Sequence, residues 1–345
     1  MSAIQLAKLT GAAILSGFLS CSGAVASAQD QSGLKLVQTV ELPGYTGDFD
    51  HFAYDGERGR LLLAAEDHAT LEVFDVKTGK HLKTVPGFDA PHSILVRKGS
   101  PTIFVTDSGP SMSKLLDADT YAKKATVKLV EGADSIGYDA AANRVYVVTG
   151  GKDVKMTTAE LAQVDPDDGK KTGAVKINAA HVEAMAIEKG GDRLFINLTD
   201  KNTLAIINRK TLQLVKQWPI APAKQNAVIA FNEAAHRIFL ICRDPGMLVV
   251  LNSDTGAVTN TLPAPLRVDE APYDQAGKRL FVPGGEGWMA VYDVSDPDHV
   301  KLSAKVKTEA GAKTGLYVPE LGKLYIAVSP GETKAMAKVL TYSVK

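Results

Sequence analysis

The sequence predicts an all-β fold, a seven-bladed β-propeller with four antiparallel strands per blade, its ring closed by the N-terminal strand. A basic or polar residue followed by three largely apolar, β-favouring residues recurs seven times, from Arg60-Leu61-Leu62-Leu63 to Lys323-Leu324-Tyr325-Ile326. Successive starts lie 42, 42, 49, 44, 42 and 44 residues apart. Turn-forming residues stand between the copies. A period in the forties, rich in β-branched and aromatic residues, is that of a four-stranded blade.

Each unit is ordered in the same way. A turn such as Tyr54-Asp55-Gly56-Glu57 or Tyr138-Asp139-Ala140-Ala141 precedes the apolar run, and a loop after it leads to an alternating strand such as Leu71-Glu72-Val73-Phe74-Asp75. A hairpin follows, Asp75-Val76-Lys77-Thr78-Gly79 or Asn252-Ser253-Asp254-Thr255-Gly256, in which the Asx side chain bonds the turning backbone and Gly takes positive φ. The position seven residues before each start holds Ala53, Leu95, Gly137, Ala186, Ala230, Pro272 and Leu316. Small residues dominate it, as expected where the innermost strands crowd the axis. The continuous apolar runs belong to the next strand outward, packed on both faces by neighbouring blades. The seventh unit stops one outer strand short, while Leu34 to Leu42 precedes the first unit with nothing of its own to pair with. This spare strand is expected to complete the last blade and remove two sheet edges.

The chain has 345 residues, and 39 Lys plus Arg balance 39 Asp plus Glu. That balance argues against a dominant basic face for nucleic acid and against a polybasic membrane binder. Hydrophobic residues make up 45% and charged residues 23%, which supplies a core and argues against disorder. Lys8, the apolar stretch Leu9 to Leu19 and the small triplet Ala26-Ser27-Ala28 read as a secretory signal, residues 1–28, cut after Ala28. The apolar stretch is too short for a permanent span, so no transmembrane segment is expected in the mature chain, a single propeller domain over 29–345. The competing reading makes Cys21 a lipidation site, although Phe18 stands where the usual Leu would be. Either route takes the protein out of the cytoplasm, periplasmic or secreted. With Cys21 removed, only Cys242 remains, inside an apolar run, so no intramolecular disulfide is available.

Runs such as Ile103-Phe104-Val105-Thr106-Asp107 and Val145-Tyr146-Val147-Val148-Thr149 recur with Glu-Val-Phe-Asp or Ala-Val-Tyr-Asp strands and Asp-x-x-Thr-Gly hairpins. In these the chain resembles the YVTN-repeat, YncE-like group of bacterial seven-bladed β-propellers, over residues 34 to 345. Leu194-Phe195-Ile196-Asn197 and Leu280-Phe281-Val282-Pro283 depart from the YVTN letters. The resemblance implies an exported propeller scaffold. It implies no catalytic residue, because the group shares no single reaction.

Propeller ligands sit where the loops entering the innermost strands converge. Ten residues before each start stand Asp50, His92, Asp134, Glu183, Ala227, Asp269 and Lys313, six of them ionisable. Flanking positions add His51, His181, Asn226, Arg267 and Glu270. The loops after the buried strands add Asp67, His68, Asp107, Asn197, Asp200, Arg243 and Asp244. Such groups also cap turns and bond adjacent blades. As a ring they are the best candidate for a ligand site, with Asp50, His51, His92, Asp134, His181, Glu183, Asn226, Asp269 and Glu270 as its binding residues. Carboxylates alone suit Ca²⁺ or Mg²⁺, and His51, His92 and His181 would favour Zn²⁺ or another transition metal, but the spacing is too diffuse to choose.

Several lookalikes fail on context. Gly285-Glu286-Gly287-Trp288-Met289-Ala290 matches a dinucleotide fingerprint in its letters but leads into a strand. Asp165-Pro166-Asp167-Asp168-Gly169 hints at a calcium loop, yet Lys176 stands at its twelfth position. No Gly-x-Ser-x-Gly, His-Glu-x-x-His, phosphate-binding Gly-rich loop or Cys-x-x-Cys-His occurs. Trp218 and Trp288 are the only tryptophans, which disfavours the tryptophan-docked blades of quinone-dependent dehydrogenases. The expected role is therefore a binding or interaction module taking a small-molecule or protein ligand at the axial mouth. The alternatives are a metal-dependent hydrolase, lactonase or lyase in the same channel and, last, nucleic-acid binding through pairs such as Lys123-Lys124 and Lys170-Lys171.

The signal reading is checked by N-terminal sequencing of the mature protein, which should begin at Gln29. A chain starting at a lipidated Cys21 would instead make this a membrane-anchored propeller.

Overall fold

A computed structural model describes residues 32–110, 112–331 and 335–345; the expected leader 1–28, with Cys21, lies outside them. Seven four-stranded antiparallel sheets form a ring, and helix among the described residues is confined to short 3₁₀ turns. Blades 1 to 6 span residues 52–86, 91–127, 136–177, 182–219, 224–263 and 273–310, each built from four consecutive strands. Blade 7 takes three strands from 312–344 and its fourth from Leu34–Leu42.

The apolar runs fill the second strand of each blade. Leu62 and Leu63, Ile103, Phe195 and Ile196, Phe239 and Leu240 are buried on both faces of their sheets. The core is divided into clusters lying between neighbouring blades, as in the one that joins Phe239 and Val250 of blade 5 to Leu280 and Tyr292 of blade 6. Most of the small-residue column lies in the innermost strands. Beside Gly137, a Cβ would come within 2.8 Å of Met185 Sδ on blade 4. In blade 6 the column holds Pro272, which lacks an N–H, and the innermost strand shrinks to Tyr273–Asp274.

Each hairpin forms as its sequence dictates. Asp75 Oδ1 accepts the backbone N–H groups of Lys77 and Thr78, and Gly79 closes the turn at φ 68°. The equivalent residues in blades 2 and 4 are Tyr121 and Leu212, which carry positive φ without being glycine. Such a conformation costs about 1–2 kcal/mol for an L-residue. What holds Tyr121 there is blade 1: Arg60 Nη1 donates to Tyr121 Oη at 2.7 Å, and Arg60 and Lys83 both sit over its ring.

That contact explains why a basic residue opens most apolar runs. Arg193 of blade 4 donates to Ser253 O and Asp254 of blade 5, Arg237 of blade 5 to Asp298 of blade 6, and Lys323 of blade 7 to Val76 O of blade 1. Blade 2 has Thr102 at this position, and Arg97 takes over by bonding both Thr102 and Asp167 of blade 3. Blades 1, 2, 4, 5 and 7 thus clasp the hairpin of the next, whereas Arg144 and Arg279 bond Asp165 and Asp274 of their own blades.

The ring closes as expected. Leu34–Leu42 pairs antiparallel with Ala337–Val344, with Thr39 opposite Leu340 and a bulge after Leu36. Lys345 N–H also donates to Gly33 O at 2.9 Å. The strand then runs through residues 43–51 to blade 1, held by the Gly47–Gly331 bridge and by Phe49 N–H donating to Ser329 Oγ.

Deleting residues 34–42 should expose the edge of Ala337–Val344 and open the ring, giving aggregation or a much lower melting temperature. An unchanged melt with monomeric elution would contradict closure. Cys242 is fully buried and burial pushes its thiol up to about 12, so native protein should resist alkylation while denatured mature protein titrates one thiol.

Candidate functional site at the axial mouth

The column of ionisable residues is aimed inward by a repeated irregularity of the backbone. In blade 1, Asp50 N–H donates to Ala64 O and Ala64 N–H to His51 O, so two residues oppose one. Asp134 and Ser135 oppose Val148 of blade 3 in the same way. The ladders of blades 2, 4, 5 and 7 shift register between Pro91 and Ile94, Val182 and Met185, Asn226 and Val228, and Ala312 and Thr314, around His92, Glu183, Ala227 and Lys313. A bulge turns one side chain out of the alternation, and here His92, Asp134, Glu183 and Lys313 line the axial cavity, while Ala227 packs into the core.

Together with the adjoining loops these residues surround a cavity of about 780 Å³, whose walls include Asp48, Glu66, His92, Asp134, His181, Glu183, Arg243, Arg267, Asp269 and Lys313. Its charges pair across blades. Arg243 bonds Glu183 at 3.0 Å and Asp269 at 2.8 Å, and Lys313 bonds Asp269 at 2.8 Å and Asp48 at 2.9 Å. His181 Nε2 lies 2.7 Å from Glu183. On the opposite side His92 Nδ1 bonds Asp50 Oδ2 at 2.6 Å, and His51 Nδ1 bonds Glu270 Oε1 at 2.5 Å. The two fixed cations of this network, Arg243 and Lys313, stand on blades 5 and 7. The carboxylates of blades 1 to 3, Asp50, Glu66 and Asp134, have only imidazoles within ion-pair distance, although Lys313 also acts on Asp50 from further off.

Protonation follows from this layout. Burial opposes the charge on Asp50, but His51, His92 and Lys313 outweigh it and hold the carboxyl well below its usual range. Burial likewise opposes the charge on His92, yet Asp134, Asp50 and Glu66 push it up to about 10. His51 is raised well above its ordinary value by Asp50 and Glu270 against its own burial. Glu66 and Asp134 go the other way: burial pushes them up to about 7 and about 6, because His92, at 3.9 and 3.8 Å, is too distant to offset it fully. Glu183, buried but tied to His181 and Arg243, is lowered to about 2. Two of the cavity's carboxyl groups therefore change charge near neutral pH.

The structure brings Asp50, His51, His92, Asp134, His181, Glu183, Asp269 and Glu270 together at one end of the ring. Asn226 stands apart from them. It is fully buried, and its amide donates to Asn197 Oδ1 and to Thr203 O, so it ties the entry of blade 5 to blade 4. Most acids of the loops after the buried strands are caps. Asp107 accepts the N–H groups of Asp89 and Ala90, Asp200 those of Ala180 and His181, and Asp67 that of Asp48. They hold the entry loops still. Asp48 and Glu66 line the cavity and were not singled out from the sequence. Both carried a signal: Glu66 is one residue before Asp67 in the loop already aligned, and Asp48 stands twelve residues before its start, as His181 and Arg267 do before theirs.

Three kinds of comparison bear on the chain. No family profile matches it, and no curated protein matches it. Among solved structures it is similar to a chain of the crystal structure of a mitotic checkpoint complex, at 12% identity with a TM-score of 0.73, over 99% of this chain and 99% of that one. At that identity the likeness concerns the β-propeller fold alone.

Proposed function

We propose that the chain is an exported propeller of the YVTN-repeat type that works as a binding module, taking a small polar molecule with a cationic group into its axial cavity. The observation that carries this is the cavity itself. Its volume is that of small-ligand sites, and Glu66 and Asp134 line one side of it with no nitrogen cation closer than His92. Elsewhere in the wall, Arg243 and Lys313 already pair with Glu183, Asp269 and Asp48. An incoming cation would thus meet carboxylates on blades 1 to 3, while Arg267 stands in the wall before blade 6 for an anionic or polar end. Export is supported by the residue pattern over 8–28, and the YVTN assignment by the repeat letters. Among the described residues no helix is long and apolar enough to cross a membrane.

A panel of spermidine, lysine, glucose and citrate, followed by thermal shift and calorimetry, tests the reading. Spermidine or lysine should stabilise the protein, and the Glu66→Gln/Asp134→Asn variant should bind about tenfold or more weakly, the loss expected for a charged hydrogen-bond partner. Asp296→Asn, on an outer hairpin, should bind as wild type. Because Glu66 and Asp134 ionise near pH 7 and 6, affinity should be nearly full at pH 8 and fall as pH drops through 7 to 5. Binding that is independent of pH and of both carboxylates would place the ligand elsewhere.

A further inference from the structure

We infer that the acidic side of the mouth also holds a first-row divalent metal ion, on Asp50, His51 and Asp134. The inference rests on the axial cavity being the binding site and adds an inorganic ion beside the organic ligand.

Asp50, His51 and Asp134 each offer one donor atom within 4.8 Å of the other two. His51 Nε2 lies 3.4 Å from Asp50 Oδ1. Metal bonds of about 2.0–2.2 Å place neighbouring donors about 3.0–3.5 Å apart, so this edge already has the span of a coordination sphere. The orientation of the imidazole is the second, independent observation. A metal-bound histidine donates its other ring N–H to a carboxylate, and His51 Nδ1 does so to Glu270 Oε1 at 2.5 Å. That contact fixes the proton on Nδ1 and turns Nε2 toward Asp50. Asp50 is oriented in turn: Oδ2 accepts from His92 Nδ1 at 2.6 Å, which leaves Oδ1 for the ion.

Glu270 and His92 are thus positioning residues, and they reach the site from blades 6 and 2. Asp134 completes the set from blade 3 and also lines the cavity, so the ion's remaining positions face the space where a ligand would sit. Charge makes the same choice. Arg243 and Lys313 neutralise the carboxylates of the other half, whereas this half holds Asp50, Glu66 and Asp134 with no Lys or Arg bonded to any of them. One nitrogen and two carboxylates suit Mn²⁺, Fe²⁺ or Zn²⁺ better than Ca²⁺, which prefers oxygen alone.

The test uses full mature protein stripped with EDTA and dialysed, then titrated with MnCl₂, ZnCl₂ or CaCl₂ in a calorimeter. Mn²⁺ or Zn²⁺ should bind at one site per chain and more tightly than Ca²⁺. His51→Gln and Asp134→Asn should each weaken that binding about tenfold or more, and Glu270→Gln by about 10- to 100-fold, the range typical of outer-shell partners. Because replacements in a buried charge network can unfold a protein, crystals of the wild type soaked in MnCl₂ provide a readout that needs no variant. An anomalous peak between Asp50, His51 and Asp134 supports the site. A peak at the surface histidines His236 or His299 instead, absence of stoichiometric binding, or undiminished binding by a folded His51→Gln/Asp134→Asn variant overturns it. If spermidine binds in the cavity and no divalent ion does, this inference fails alone; if neither binds, the binding-module reading fails with it.

Discussion

The pairing of Leu34–Leu42 with Ala337–Val344 joins the two ends of the chain, and it does two things at once. It completes a blade that would otherwise present a bare strand edge, which is the feature that leads open sheets to aggregate. It also anchors the segment 43–51 between blades 7 and 1, and that segment delivers Asp48, Asp50 and His51 to the mouth. No disulfide reinforces the closure, since the one cysteine described, Cys242, is buried and free. Strand pairing and burial alone carry the load. The geometry of the mouth and the integrity of the ring are consequently a single property.

At the mouth the governing constraint is the cost of burying charge. Six ionisable side chains aimed at a common axis are tolerable only if each finds a partner or changes its protonation, and both solutions occur here. Blades 4 to 7 use the first, with Arg243 and Lys313 each spanning two carboxylates. Blades 1 to 3 use imidazoles and leave Glu66 and Asp134 with raised affinities for a proton. A seven-fold scaffold has thereby acquired a polarity across its axis, which a scaffold built only for packing would not require.

The fold was legible because its period is written in residues that only one environment accepts: three consecutive apolar β-formers flanked by turn chemistry admit a strand buried on both faces. The column of the mouth was legible for a related reason, because polar residues at a fixed offset from buried strands must share a level of the ring. What the sequence could not convey was pairing between blades. His51 meets Glu270 and His92 meets Asp50 through ring geometry, not through any spacing along the chain. Asn226 shows the limit in the other direction: it flanks the column, but a bulge of the ladder between Asn226 and Val228 leaves it bonded inside the wall. Tyr121 and Leu212 in glycine positions were equally hidden, since their retention depends on what the adjacent blade does with their side chains. For Tyr121 that neighbour contributes Arg60.

The clasps between blades have a bearing on how the molecule opens. Arg60, Arg97, Arg193 and Arg237 each grip the following blade, and Lys323 of the last blade grips the first. In a linear array of repeats, stability is a sum of unit and interface contributions, and fraying begins at the ends, where a unit has one neighbour to lose. A ring whose last member holds its first has no such end. Any blade that unfolds must surrender two interfaces, so partial opening is penalised wherever it starts. Amide protons in the doubly buried second strands are then expected to share the highest protection, with no gradient running down the chain toward either end.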